Sequence, residues 1–184
     1  MHPGELWQEY DFNGLRLGSI DSSSYQNPNS KLFGGVAVML YRFRNGDVEF
    51  LFQHRSKFVD RNAEKWDVSA AGHINYKEPK LDSIVREAQE EIGAKLQREK
   101  LEFAGAYVRA HRSLVNLYFY DWTNHEDSFH FDDEEVSEVK WVAFKDLVNF
   151  WPSLKPQVQD DPIFQTFVLD WTRFVREKYG YLDK

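Results

Sequence analysis

Apolar and polar positions alternate loosely over residues 6–20 around Asn13-Gly14, a tight-turn signal between two short apolar runs, which predicts a β-hairpin. Residues 22–31 are rich in Ser, Asn and Pro and read as a connecting loop. Residues 32–43 are dense in Val, Leu, Tyr and Phe and predict a buried strand, and Asn45-Gly46 then turns the chain into a second strand over 48–53. The mixed, charged stretch 55–67 predicts a loop, and apolar positions recur at helical spacing over 81–96. An antiparallel strand pair is expected over 101–110 and 114–122, an exposed acidic loop over 124–135, a strand over 136–144 and a short helix over 145–150. Pro152 and Pro156 break the chain. Phe164, Phe167, Val168, Trp171, Phe174 and Val175 then mark a last helix over 163–178, whose outer aromatics could also meet a partner. Strands and helices so interleaved predict an α+β fold, a mixed sheet with helices on its faces. The hairpin and loop of residues 1–31 would precede a main domain over 32–184.

Composition narrows the function. Aromatics make up 16% of 184 residues, ample for one well-filled core. The absence of Cys excludes disulfides, a thiolate zinc site and a cysteine nucleophile. The longest apolar stretch, residues 36–41, is too short to span a bilayer, and no charged-then-apolar leader opens the chain. A cytoplasmic protein with no membrane partner is expected. A net charge of −7 gives no basic face for sequence-independent nucleic-acid binding, although Arg109, His111 and Arg112 form a local basic patch. An acidic chain still handles polyanions if a divalent metal reverses the local sign.

The most informative stretch is residues 72–94, GHINYKEPKLDSIVREAQEEIGA. At about 100° per residue, Leu81, Ile84, Val85, Ala88 and Ile92 fall within one arc, the stripe that a helix buries. Glu87 and Glu91 are i,i+4 neighbours at the edge of that stripe, and Glu90 lies one step further out. Two carboxylates about 5 Å apart repel by roughly 3 kcal/mol at an effective dielectric of about 20. A partly buried cluster without a counter-charge would take up protons instead. Arg86 reaches Glu90 at i,i+4, and the other carboxylates call for a cation. Oxygen-only donors favour Mg²⁺ or Mn²⁺ over Zn²⁺. Taken alone, however, a run of Glu on a helix is most often a solvated face.

The full pattern says more. It resembles the signature of the Nudix family, G-x5-E-x7-R-E-U-x-E-E-x-G-U with U aliphatic. Gly72, Glu78, Arg86, Glu87, Glu90, Glu91 and Gly93 fall at the required spacing, and Ala88 and Ala94 hold the U positions with smaller side chains than usual. The order of strands and helices is also similar to the family's α/β/α sandwich. The resemblance implies Mg²⁺- or Mn²⁺-dependent hydrolysis of a diphosphate linked to another moiety, usually in a nucleoside diphosphate derivative. It implies Glu87 and Glu91 as main metal ligands, Glu90 as a further ligand or a support, and an oxygen from Gly72. Arg86 would orient the glutamates, and Glu78 would brace the loop before the helix. Candidates for the general base, besides the helix itself, are Glu134, Glu135 and Glu138, whose alternative is an ordinary solvated loop. Arg55 resembles the Arg that relatives place near substrate phosphates, or is a surface ion-pair partner. His73 and Trp66 flank the signature as substrate contacts or structural residues, and one of Tyr118 and Phe119 would be core while the other stacks on a base. The implied partner is a small-molecule diphosphate, bound by a monomer or a homodimer.

The run KWDVSAAGHINYKE, and a hairpin before the core, are similar to the isopentenyl diphosphate isomerase-like branch of that family. Isomerisation itself is not expected. Ala71 stands where the isomerase has its catalytic cysteine, KLFGGVAVML supplies no His, and Val59 stands where the isomerase favours Lys. A hydrolase of that branch fits best, and the alternatives are the isomerase, a non-catalytic binding module and a pyrophosphatase acting on nucleic acid. The intact Glu87, Glu90 and Glu91 argue against a module without catalysis.

Overall fold

Strand β3, Leu32–Arg44, organises the molecule. Its side chains alternate with period two: Val36, Val38 and Leu40 enter one core cluster, while Ala37, Met39 and Tyr41 enter another on the opposite face. A strand buried on both faces reads as a continuous apolar run, as this one does. The computed structural model describes residues 4–24, 31–109, 112–132 and 134–180.

Around β3 the chain builds a nine-stranded mixed sheet. The hairpin of β1, Leu6–Tyr10, and β2, Arg16–Asp21, is antiparallel and joins β3 through Glu9 and Tyr10. Asn45 and Gly46, both at positive φ, turn β3 into β4, Asp47–Arg55. The short strands β5, Trp66–Asp67, and β6, Ala70–His73, pair with β4 and β3 respectively. β7, Glu102–Val108, is antiparallel to β8, Ser113–Asp121, and β8 runs parallel to β3 from Phe33 to Tyr41. β9, Val136–Ala143, closes on β4.

Helix α1, Lys80–Ile92, covers one face through Ile84, Ala88 and Ile92. The four-residue helices α2, Leu147–Phe150, and α3, Pro156–Gln159, lead to α4, Pro162–Lys178. α4 covers the other face through Phe164, Val168 and Val175, with Trp171 stacked on Phe119 at 4.3 Å. This is the α+β architecture expected from the sequence. Among the described residues, no helix is long and apolar enough to cross a membrane.

Several elements differ from expectation. α1 stops at Ile92 instead of continuing to 96, because Gly93 adopts a left-handed φ of 68° and the Gly93 and Ala94 N–H groups return to Gln89 and Ala88 carbonyls. β5 and β6 lie in stretches that carry no alternation long enough to predict a strand. Tyr118 and Phe119 do alternate faces, but both are buried, one in each core cluster, so neither is left to stack on a ligand. Ser22–Ser24 forms a single 3-10 turn, and residues 25–30 of the expected loop lie outside the described residues.

The hairpin also braces the loop before α1. Gln8 N–H donates to the Ile74 carbonyl at 2.8 Å, and Tyr76 N–H to Leu6 at 2.9 Å. Gln8 Oε1 accepts from Lys77 N–H, and Arg16 donates to the Glu78 carbonyl at 2.6 Å.

Candidate active site

A cleft of about 750 Å³ opens where α1, β6, the end of β4 and the segment after α2 meet. Its acidic wall is α1. Glu91 is 5% exposed, and its Oε2 accepts from Gln53 Nε2 at 3.0 Å and Ala71 N–H at 2.9 Å. Glu87 lies against Gly72 so closely that a Cβ at Gly72 would fall within its carboxylate. Arg86 is the hub of the remaining charges. It reaches Glu78 at 3.1 Å, Glu87 at 2.9 Å, Glu90 at 2.8 Å and the His73 carbonyl at 3.2 Å. Glu78 also accepts from Ser83 Oγ and Asn75 N–H, so it braces the loop as expected.

Burial decides the protonation of this wall. Desolvation, opposed by Arg86, pushes the Glu87 pKa up to about 7. Glu91 is raised well above the carboxylate range, first by burial and then by the charge of Glu87. For Glu78, burial is outweighed by the hydrogen bonds from Arg86 and Ser83, which leave its pKa below the ordinary value. His73 stacks on Trp7 at 3.7 Å, and burial lowers its pKa to about 4, assisted by the charges of Lys155 and Arg86.

The opposite wall is cationic. Asp67 on β5 is 1% exposed and pairs with Lys155 and, at 3.8 Å, with Arg55. Lys155 arrives there because Leu154 bridges to Trp66 and Lys155 N–H donates to the Trp66 carbonyl at 2.8 Å. Arg109 completes this wall, its Nε 3.6 Å from Asp161.

Of the residues expected from the sequence, Arg55, Gly72, His73, Arg86, Glu87, Glu90, Glu91, Glu134 and Glu135 all line the cleft. Ser56 holds the acidic loop there, its N–H donating to the Glu135 carbonyl at 2.8 Å and its hydroxyl to the Glu134 carbonyl. Trp66 and Glu138 are not among the lining residues. Trp66 packs on His54 and Phe150, and strand alternation turns its neighbour Asp67 to the cleft instead. Glu138 is exposed on β9, paired in register with His54. Arg109 of the basic patch faces the cleft, while His111 lies outside the described residues. Sequence reasoning missed Asp67, Gln53 and Lys155.

The three glutamates do not form a ready-made cage. Among the described residues, no three His, Asp or Glu side chains converge on a common point. Arg86 draws Glu87 and Glu90 to itself, and Glu91 turns to Gln53 and Ala71. The donor set nevertheless fits a hard divalent cation: oxygen donors, two desolvated carboxyl groups on successive helical turns whose ionisation a cation would favour, and a glycine that leaves space for one of them.

Residues 33–165 match the model of the NUDIX domain. The chain belongs to the Nudix family. Nudix hydrolase 3 of Arabidopsis thaliana is 33% identical over 125 residues, which are 62% of this chain. The matched region is 16% of that protein, so the chain spans only a small part of its length. The crystal structure of DR0079 from Deinococcus radiodurans superposes with a TM-score of 0.67 at 16% identity, covering 90% of this chain and 98% of that one. A bifunctional NMN adenylyltransferase/ADP ribose pyrophosphatase from Francisella tularensis, solved with AMP and a manganese ion, gives 0.60 at 18% identity, covering 79% and 43%. The sheet and helices described above are thus the Nudix fold.

The raised Glu87 pKa has a consequence for stability in chelator. Its folded pKa of about 7 lies above the ordinary 4.5, so the folded state holds a proton that the unfolded state has lost between those values. Stability from this group is complete below about pH 4.5 and declines as pH rises to about 7. The melting temperature of the wild type minus that of Glu87→Gln should therefore fall by several degrees across this window. Parallel melting curves for the two proteins in chelator would contradict the assignment.

Proposed function

We propose that this chain is a divalent-metal-dependent hydrolase of a phosphoanhydride bond in a nucleoside diphosphate derivative or a similar small molecule. The observation that carries the reading is the carboxyl pair of half-buried Glu87 and buried Glu91 on one wall of a cleft whose other wall carries Arg55, Arg109 and Lys155. Burying two carboxylates side by side is costly unless a cation compensates them. The names of the Arabidopsis and Francisella proteins support the reaction class, and the bound manganese and AMP of the latter support the metal and the nucleotide.

Glu87 and Glu91 would hold the cation, with Glu90 and the Gly72 carbonyl completing the oxygen donors. Mg²⁺ or Mn²⁺ bound there supplies charge neutralisation at phosphate oxygens and acidification of water. The chain's own residues position the rest. Arg86 fixes Glu87 and Glu90 relative to the helix, and Gln53 and the Ala71 N–H hold Glu91 in one orientation. Glu134 and Glu135 stand at the cleft as candidate general bases. Arg55 and His73 line the path of the substrate.

The finer placement in the isomerase-like branch rests on residues 65–78 and the hairpin. Isomerisation is not part of this proposal, because Ala71 offers no thiol; its backbone N–H serves Glu91 instead.

The test is a phosphate-release screen over nucleoside diphosphate sugars, dinucleotides, nucleoside triphosphates and non-nucleotide diphosphates in Mg²⁺ and in Mn²⁺. At least one class should be cleaved by the wild type and not by the Glu87→Gln/Glu91→Gln double variant. Equal release by the two proteins across the panel would reject the reading.

A further inference from the structure

The cationic wall lies outside the signature and comes from three separated parts of the chain: Arg55 at the end of β4, Arg109 after β7 and Lys155 before α3. All three line the same cleft as the glutamates. Their counter-charges are incomplete. Asp67 serves both Lys155 and Arg55. Asp161 is engaged as the N-cap of α4, accepting from Ile163 and Phe164 N–H at 3.0 and 3.1 Å. Its other oxygen stays 3.6 Å from Arg109 Nε, beyond hydrogen-bond reach. Arg109 Nε is buried and makes no hydrogen bond, although an Nη of the same side chain donates to the Tyr107 hydroxyl at 3.0 Å. Asp67 is thus shared between two cations, and one desolvated donor, Arg109 Nε, remains without an acceptor.

We infer that Lys155 and Arg109, together with Arg55, form an anion subsite that receives the substrate phosphate lying away from the glutamate wall. The inference rests on the hydrolase reading and adds the residues that hold the second phosphate. A phosphate oxygen there would satisfy Arg109 Nε and give Lys155 and Arg55 a partner besides the Asp67 they share, the kind of charge-assisted contact that Arg and Lys make best. Burial and the nearby charges of Arg109 and Arg55 already lower the Lys155 pKa against the pull of Asp67, so an added anion is favoured there electrostatically. Asp67 then acts as a positioning residue, holding Lys155 and Arg55 side by side without filling both.

The test uses methylenediphosphonate, a pyrophosphate analogue whose P–C–P bridge is not hydrolysed, titrated calorimetrically into the protein in Mg²⁺ buffer. Arg109→Met and the charge-balanced pair Asp67→Asn/Lys155→Met should each weaken binding by at least tenfold, with Mn²⁺ affinity unchanged. Arg109→Lys should recover part of the loss. Arg109 is partly exposed and carries the test alone if the buried pair does not tolerate replacement. Wild-type affinity in Arg109→Met, or no binding by the wild type, overturns the subsite. Turnover is not needed for this readout. Loss of binding in Arg109→Met alongside no hydrolysis of any diphosphate would sink the reaction and keep the subsite, while normal hydrolysis with unchanged binding would do the opposite.

Discussion

Glu91→Gln should lower turnover by two or more orders of magnitude, about 2.7 kcal/mol or more of transition-state stabilisation, while the protein stays folded. Glu91 accepts hydrogen bonds from Gln53 and Ala71, and a glutamine oxygen can keep the one from the backbone. What the substitution removes is the capacity to carry a negative charge, which burial and the like charge of Glu87 make costly in the folded protein. In chelator the variant should therefore melt at the same temperature as the wild type or above it. In Mg²⁺ the wild type should gain stability and the variant should not, since a ligand stabilises only a state that binds it. Excess chelator should bring wild-type turnover down to the level of the variant. Wild-type rates in Glu91→Gln, measured on whichever substrate the phosphate-release screen identifies, would show that the site is misassigned.

Gly72→Ala should reduce turnover on the order of 100-fold, the scale on which a misplacement of about 1 Å acts, with little change in melting temperature. The added Cβ would occupy the space of the Glu87 carboxylate. That carboxylate is the end of a flexible side chain, so it can swing away without disturbing the core. Gly72 is not at positive φ, so alanine adds no backbone strain. The combination of lost activity and kept stability is what distinguishes a displaced ligand from a damaged fold. A variant that loses both would mean that Gly72 serves packing alone, and one that keeps both would mean that Glu87 does not need its present place.

Much of the acidic wall was legible in the sequence, because one helix presents it. Spacing along α1 places Glu87 and Glu91 on successive turns, and it places Arg86 within reach of Glu90. The further ties of Arg86 to Glu78 and His73 depend on how the loop from β6 folds back, which helical spacing does not encode. The cationic wall was not legible. Lys155 sits 88 residues from Asp67 in sequence and is delivered by a bridge between Leu154 and Trp66. Nothing local to its stretch, flanked by prolines, marks it as a cleft residue. Trp66 stands out in the sequence as an aromatic flanking the signature, whereas nothing local marks Asp67. In a strand only one of two neighbours faces a given side, and the packing of Trp66 against Phe150 sends the carboxylate to the cleft. Glu138 departs for a related reason: β9 carries it beside His54, past the Ser56 latch that holds Glu134 and Glu135 at the opening. The end of α1 differs from expectation because Ala94 and Leu96 are apolar enough to continue a helical stripe, yet Gly93 ends it through backbone geometry alone.

Glu87 and Glu91 together are expected to bind a divalent cation. Electron paramagnetic resonance of Mn²⁺, titrated into the protein without substrate, tests this directly. The wild type should deplete the free-Mn²⁺ signal stoichiometrically, and the Glu87→Gln/Glu91→Gln double variant should bind at least tenfold more weakly. The same stoichiometry and affinity in both proteins would contradict it.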